Sequence, residues 1–172
     1  SIGLHDMAGI KAPFTFKAVD PLSASFVPLA KEEEMNLQEI LEKHEKGKDY
    51  AYILEGKERY PLLVDSEGKV LSFPPIINGT VTEDTTRVFI DVTGTDMDAI
   101  TGALNIVATA MAERGGKLRS VTVVGHDDLV TPDLEPRKWR ISMDEANRLL
   151  GTSLDGARMS SALEKMGYDA RL

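Results

Sequence analysis

Two stretches of the chain show the 3.6-residue apolar repeat of a helix packed on a core. One predicts a helix over 31–46 that begins with the acidic run Glu32-Glu33-Glu34, and Asn36 followed by Glu39 fits a capping box. The other predicts a longer helix capped by Thr95 or Asp96, running to about Arg114 and ended by two glycines. The residues on their apolar faces are Leu37, Ile40, Leu41 and His44 in the first, and Ile100, Ala103, Leu104, Val107 and Met111 in the second.

Shorter runs rich in β-branched and aromatic residues predict strands near 14–18, 50–54, 60–64, 69–73, 88–93 and 120–124. A turn over 65–68 joins two of them, and three prolines favour loops elsewhere in the first 30 residues. These elements predict an α+β domain, a mixed sheet with packed helices.

Beyond about residue 126 the pattern becomes polar and contains two prolines, which predicts a linker over 126–136. Two short helices are predicted after it, over 142–150 and 155–166. The expected organisation is therefore a main domain over 1–128, followed by a linker and a small helical module over 129–172. Trp139, within a basic cluster over 137–140, is expected to anchor that module rather than to serve phosphate binding.

Composition narrows the classes of function. The 172 residues are 42% hydrophobic and 28% charged, with a net charge of −8 and no cysteine. From Pro132 onward seven basic and seven acidic residues cancel, so 1–131 carries the whole charge. Without a basic face, the chain by itself should hold RNA weakly. The absence of cysteine excludes a thiolate nucleophile and a Cys-based zinc site. No apolar run or signal peptide predicts a membrane protein, so we expect a cytoplasmic one.

The three histidines are too far apart in sequence to predict a metal site, and we expect each to be a surface or core residue. Asp91 is more informative, because strand alternation places it with Phe89 and Thr93 on one side of 88–93. A carboxylate among β-branched neighbours needs hydrogen bonds or a wet cavity. The alternative is an edge strand with Asp91 in solvent.

A second candidate lies where the strand over 69–73 ends. Ser72 stands just before Pro74 and Pro75, which cannot donate hydrogen bonds and so stiffen the loop that leads to Ile77 and Asn78. This loop either terminates a strand or forms one wall of a ligand site, and the residues alone favour neither.

Several long motifs carry a family resemblance. SIGLHD, IKAPFTFKAVDP, YPLLVDSEGKVLSFPPIING and TRVFIDVTGTD, followed by PDLEPRKWRIS and ANRLLGTSLD, span nearly the whole chain. They resemble the beta subunit of phenylalanyl-tRNA synthetase of the archaeal and eukaryotic type. The resemblance implies an editing domain up to about residue 128, which hydrolyses tyrosine wrongly attached to the phenylalanine tRNA, and the start of the following small module.

The resemblance also implies site residues. By position in the motifs, Leu63, Ser72, Asp91 and Thr93 would line the pocket, with catalytic roles expected for Asp91, Thr93 and Ser72. Leu63 would bind substrate, together with four residues of the loop that follows Ser72: Pro74, Pro75, Ile77 and Asn78. The bacterial counterpart has a glutamate where Asp91 stands. It also uses a histidine and an arginine, and the motifs do not place their equivalents in this sequence.

The implied partners are the 3′ end of the aminoacylated tRNA and the synthetase alpha subunit in a heterotetramer. ATP and magnesium would belong to other parts of the synthetase, no cofactor is expected for these residues, and the chain would be a piece of a longer subunit. The alternative is a non-catalytic module that docks tRNA or a subunit. A free-standing deacylase is a third interpretation, which the downstream module disfavours.

Overall fold

The computed structural model describes residues 1–79 and 81–172. The ten strands of this part are β1 Ile2–Asp6, β2 Thr15–Val19, β3 Ser25–Phe26, β4 Met35–Asn36, β5 Tyr60–Val64, β6 Val70–Phe73, β7 Ile76–Ile77, β8 Val88–Val92, β9 Val121–Val123 and β10 Leu129–Thr131. The five α-helices are α1 Leu37–Lys43, α2 Glu45–Tyr50, α3 Met97–Glu113, α4 Met143–Leu150 and α5 Gly156–Lys165. Short 3-10 helices cover Met7–Gly9 and Ala51–Leu54.

The α+β class predicted from the sequence is confirmed. Among the described residues, the strands form separate antiparallel sheets rather than the single mixed sheet expected: a four-stranded sheet in the order β2-β5-β6-β7 and three two-stranded ribbons. Short connections such as the turn over 65–68 favour antiparallel neighbours, because parallel pairing needs a long crossover.

The chain divides into two compact units, Ser1–Asp133 and Leu134–Leu172. The predicted linker over 126–136 contains β10, which pairs with β9 through the register Leu129↔Val123. A boundary after residue 128 would fall inside this hairpin. The structure therefore assigns 129–133 to the first unit, since a strand's hydrogen bonds tie it to its partner.

One face of the four-stranded sheet builds the hydrophobic core of the first unit. Leu62 and Val64 of β5 meet Val70 and Phe73 of β6 there, and Leu37 and Ile40 of α1 pack in the same cluster with 0% exposure. Burying each side chain of this size contributes roughly 1.5–3 kcal/mol. The helical pattern around Leu37 and Ile40 therefore predicted the core correctly.

The helix predicted over 31–46 is shorter and broken. It begins at Leu37, because Asn36 is its N-cap and forms a full capping box with Glu39. The acidic run 32–34 lies before this cap and outside the helix, so its predicted role as a helix start is wrong. His44 adopts extended backbone between α1 and α2. The predicted strand over 50–54 is also wrong, because these residues end α2 and form a 3-10 helix.

The long helix α3 follows its prediction at both ends. Asp96 is the N-cap and accepts from the Ala99 amide at 2.8 Å, and Gly115 takes a positive φ of 95° after the last turn. Its predicted apolar stripe is half-buried rather than fully buried, and Ala108 is the buried residue of the helix at 3% exposure.

The second unit is built from α4 and α5. Ser142 and Asp155 cap the two helices, and Gly151 ends α4 in the left-handed conformation with φ 65°. The Asn147 side chain bridges their connection by accepting from the Leu154 amide and donating to its carbonyl. Trp139 is 83% exposed, so the predicted anchoring role is wrong. Among the described helices, none has the length and hydropathy needed to cross a membrane.

Candidate functional site

The predicted site residues lie on two sheets of the first unit. Leu63 and Ser72 belong to β5 and β6 of the four-stranded sheet, and Asp91 lies in β8 of the β1–β8 ribbon, with Thr93 just beyond its end. The ring of Phe14, next to β2, contacts the ring of Phe89 on β8 at a centroid distance of 4.2 Å. This contact connects the ribbon to the sheet that carries the other half of the predicted set.

On the sheet, three of the predicted residues form one row across neighbouring strands. Leu63 is opposite Ser72, and Ser72 is opposite Ile77. Cross-strand partners share a face, and Leu63 lies between Leu62 and Val64, both of which point into the core. The row therefore faces away from the hydrophobic core, yet Leu63 is only 6% and Ser72 only 1% exposed.

The hydroxyl of Ser72 has no hydrogen-bond partner although it is buried. Leaving a buried hydroxyl unpaired costs about 1–3 kcal/mol, so native proteins seldom keep one without a use. A bound group that donates to or accepts from this oxygen would recover that free energy.

The loop that follows Ser72 is a tight connection between β6 and β7. Pro74 and Pro75 form its turn and are half-buried. The Asn78 side chain donates to the Val70 carbonyl at 2.8 Å, and its backbone amide donates to Leu71 at 2.8 Å. Both nitrogens of Asn78 are therefore engaged in holding the loop.

On the ribbon, Asp91 is buried with 8% exposure, which contradicts the alternative that placed it in solvent on an edge strand. Its Oδ2 lies 2.5 Å from Nε2 of His5, and His5 is 3% exposed. The tautomer with the proton on Nε2 lets His5 donate to this oxygen, since an ionised carboxylate can only accept. The first strand, which holds His5, was predicted to be loop, and His5 was not among the predicted site residues.

A glycine makes room for this pair. In the ribbon, Gly3 is opposite Asp91 and His5 is opposite Phe89, so His5 reaches Asp91 along the diagonal over Gly3. A Cβ on Gly3 would lie 2.9 Å from His5 Nε2 and would collide with Asp91 Oδ2. The spacing Gly-x-His is thus the sequence signal for this site, but it becomes readable only when the antiparallel register is known.

Thr93 extends the same side of β8. Its backbone amide donates to the Ser1 carbonyl at 3.0 Å, and its Oγ1 is buried without a partner. Four buried side-chain polar atoms in the described part of the chain lack a partner, and two of them are the hydroxyls of Ser72 and Thr93. The other two belong to His44 and Asn105.

The structure thus brings together Leu63, Ser72 and Ile77 in one row and joins Asp91 to His5 in one pair. Within residues 1–79 and 81–172, no hydrogen bond given by the structure links the row to the pair. A broad groove of about 550 Å³ between α1 and the 3-10 helix Ala51–Leu54 contains none of these residues. No cluster of three or more metal-ligating side chains occurs in the described part of the chain.

Similarity to known proteins extends over the whole chain. No family model matches. The beta subunits of phenylalanine–tRNA ligase from Methanothrix thermoacetophila and Methanococcoides burtonii are 47% and 52% identical to it over 175 residues, which is 99% of this chain and 32% of each relative.

A solved structure points to the same subunit as the sequence relatives. The crystal structure of an N-terminal fragment of the phenylalanyl-tRNA synthetase beta subunit from Pyrococcus horikoshii matches with a TM-score of 0.86 and 47% identity, covering 100% of this chain and 51% of that fragment. The chain spans about a third of the length of the curated relatives it matches. By sequence and by fold, it belongs to the phenylalanine–tRNA ligase beta subunit family and corresponds to that third of the subunit.

Proposed function

We propose that the first unit is an editing domain, which hydrolyses the ester of tyrosine mischarged on the phenylalanine tRNA. The observation that carries this proposal is the pair of buried, unpartnered hydroxyls of Ser72 and Thr93, in a unit that also buries the Asp91 carboxylate. Polar groups that are enclosed but unpaired suit a ligand that brings its own polar group. Membership of the ligase beta subunit family supplies the substrate class.

The selectivity of such a site follows from the cost of unpaired polar groups. A synthetic site shaped for phenylalanine cannot strongly reject a side chain that merely adds a hydroxyl. A second site whose buried oxygen pairs with the phenol prefers tyrosine, because phenylalanine leaves that oxygen unpaired at a cost of about 1–3 kcal/mol. Ser72, Asp91 or Thr93 supplies this partner, and Leu63 provides an apolar wall beside Ser72.

The proposed chemistry is direct attack of an oriented water on the aminoacyl carbonyl. The water oxygen bonds to the carbonyl carbon, the ester bond to the ribose oxygen of the terminal adenosine breaks, and the proton passes to that leaving oxygen. Products are free tyrosine and the intact tRNA. The amides of Asn78 and Thr93 already donate to the Leu71 and Ser1 carbonyls, so the proposed oxyanion donors are the other amides of the 72–79 loop and those of Gly94 and Thr95.

The proposal extends to the partners of the whole enzyme. These are the 3′ end of the aminoacylated phenylalanine tRNA and the alpha subunit, in a cytoplasmic synthetase that uses ATP and magnesium at another site. The net charge of −8 fits a unit that receives only the acceptor end of a tRNA held by other parts of the enzyme.

The test is deacylation of tyrosyl-tRNA by the complete synthetase that contains this chain. Asp91→Asn, Ser72→Ala and Thr93→Val are each expected to slow deacylation, while charging with phenylalanine stays at the parent rate. His126→Ala is the matched control, because the side chain of His126 is 98% exposed. Parental deacylation in all three variants would refute the site.

The docking alternative makes a different prediction in the same experiment. If the unit only binds tRNA or a subunit, the parent enzyme shows no tyrosyl-tRNA deacylation. Filter binding of tRNA, or assembly with the alpha subunit, then changes when the unit is altered.

A further inference from the structure

We propose that His5 is a positioning residue of this site, which holds the Asp91 carboxylate in place through one hydrogen bond. The inference rests on the proposed function and adds a residue that the sequence did not indicate. Its basis is the contact of 2.5 Å between His5 Nε2 and Asp91 Oδ2, in which both side chains are buried.

The contact is built by three features of the ribbon. Antiparallel register sets His5 two positions along β1 from Gly3, the residue opposite Asp91, and Gly3 leaves the space between His5 and Asp91 empty of side-chain atoms. The His5 ring also lies against Phe89, with centroids 6.0 Å apart, and Phe89 packs on Phe14. The imidazole is therefore wedged between the aromatic pair and the carboxylate, so its donor points at Asp91.

The hydrogen-bonding of Asp91 suggests what the bond is for. Burying an ionised carboxylate is costly unless donors replace its lost water, and a charge-assisted bond is the strong kind. Among the described residues, His5 is the one donor that the structure gives to Asp91. One carboxylate oxygen is thereby fixed, and the other is left for the substrate or the hydrolytic water.

The proposed role needs only a donor at the position of Nε2. The amide nitrogen of glutamine lies as many bonds from the backbone as Nε2 does, so His5→Gln keeps the donor. Asparagine is shorter and His5→Leu is apolar, so both remove it. In the complete synthetase we expect His5→Leu and His5→Asn to lower kcat for tyrosyl-tRNA deacylation about tenfold or more with KM nearly unchanged. His5→Gln should stay within about threefold of the parent.

Two controls separate positioning from general damage. His44→Leu is the matched control, because His44 is a buried histidine of the same unit whose Nδ1 has no partner. It should leave deacylation unchanged, and all variants should charge phenylalanine normally. The second control is a double-mutant cycle, since a residue that acts through Asp91 should have no further effect once Asp91→Asn is present.

The outcomes are distinct. The inference is supported if the double variant deacylates no more slowly than Asp91→Asn alone and if His5→Gln keeps nearly the parent rate. Independent, additive losses from His5→Leu and Asp91→Asn overturn it, as does a glutamine variant as slow as the leucine variant. A parent enzyme that deacylates while every His5 variant matches it overturns the inference alone. A parent without deacylation overturns the proposed function and the inference together.

Discussion

Asp65 and Asp91 are both buried aspartates of the first unit, with 5% and 8% exposure, but the donors around them differ. Asp65, in the turn between β5 and β6, accepts from the backbone amides of Lys11, Glu67 and Lys69 at 2.8–3.1 Å. Asp91 accepts from one side chain, that of His5. A carboxylate saturated by backbone amides stabilises a loop. One held on a single oxygen by one side chain keeps an acceptor for something else.

Their neighbourhoods extend this contrast. Around Asp65 the backbone is pinned, since the Ser66 amide also donates to the Lys11 carbonyl at 3.0 Å. On the strand of Asp91, the next side chain on the same face is Thr93, whose hydroxyl is enclosed without a partner. Two equally buried aspartates can therefore have different roles. The number of hydrogen bonds that each carboxylate accepts distinguishes the structural aspartate from the one in the candidate site.

Exchanging each aspartate for asparagine should give the largest difference between the two regions, in deacylation rate and in Tm. We expect Asp91→Asn to reduce tyrosyl-tRNA deacylation on the order of 100-fold with little change in Tm, because a group aimed at the reacting atoms is lost. Asp65→Asn should lower Tm clearly while deacylation per folded molecule stays within about twofold, since one of its amide donors loses an acceptor. Deacylation assays and thermal unfolding of both variants measure the contrast, and the reverse pattern would contradict it.

Removing the unpaired hydroxyls should give a smaller effect on activity and an opposite one on stability. In Ser72→Ala and Thr93→Val a buried oxygen without a partner disappears, so the free energy of unfolding should stay constant or rise by up to about 1 kcal/mol. The preference for tyrosyl-tRNA over phenylalanyl-tRNA should fall about tenfold if that oxygen meets the phenol. A serine or threonine variant that is destabilised would show that the hydroxyl has a partner in the free protein.

Acid titration should reveal Asp65 as the structural carboxylate. Burial alone would raise its pKa, but three backbone donors and the charge of Lys69 together bring the pKa below its usual value of 3.8. The unfolded state then binds the proton more tightly, so this contribution is complete above about pH 5 and is lost as the pH falls through 3.8 and below. Denaturant unfolding between pH 5 and 3 should show a shallower loss in Asp65→Asn than in the parent.

The smallest effect is expected at His44. Burial lowers its pKa below 6.5, with a further contribution from the Lys31 charge, so the folded state disfavours the imidazolium. The unfolded state therefore takes up more protons, and stability declines as the pH falls through about 6.5. His44→Gln should flatten that part of the pH profile of Tm. An unchanged slope in the variant would assign the decline to another group.

The sequence predicted the local elements best where caps and periodicity agree. The ends of α3, the cap of α1 at Asn36 and the strand Tyr60–Val64 all follow from residues within one or two turns of the chain. It failed at 50–54, where tertiary packing overrode β-propensity, and at the first strand, where nearby prolines suggested loop. Strand alternation and the proline loop made Asp91 and Ser72 candidates, and the family motifs then selected Leu63, Ser72, Asp91 and Thr93 as a set.

The chain by itself therefore determined its α+β class, its family and a set of oxygen-bearing candidates. Only the tertiary structure decided which of them are enclosed without partners and which are held by a neighbour. His5 and Asp91 are 86 positions apart, and they meet because β1 pairs with β8 over a glycine. Local patterns record a residue's own helix or strand. Strand register, which sets which residues lie opposite one another, arises from the packing of distant segments.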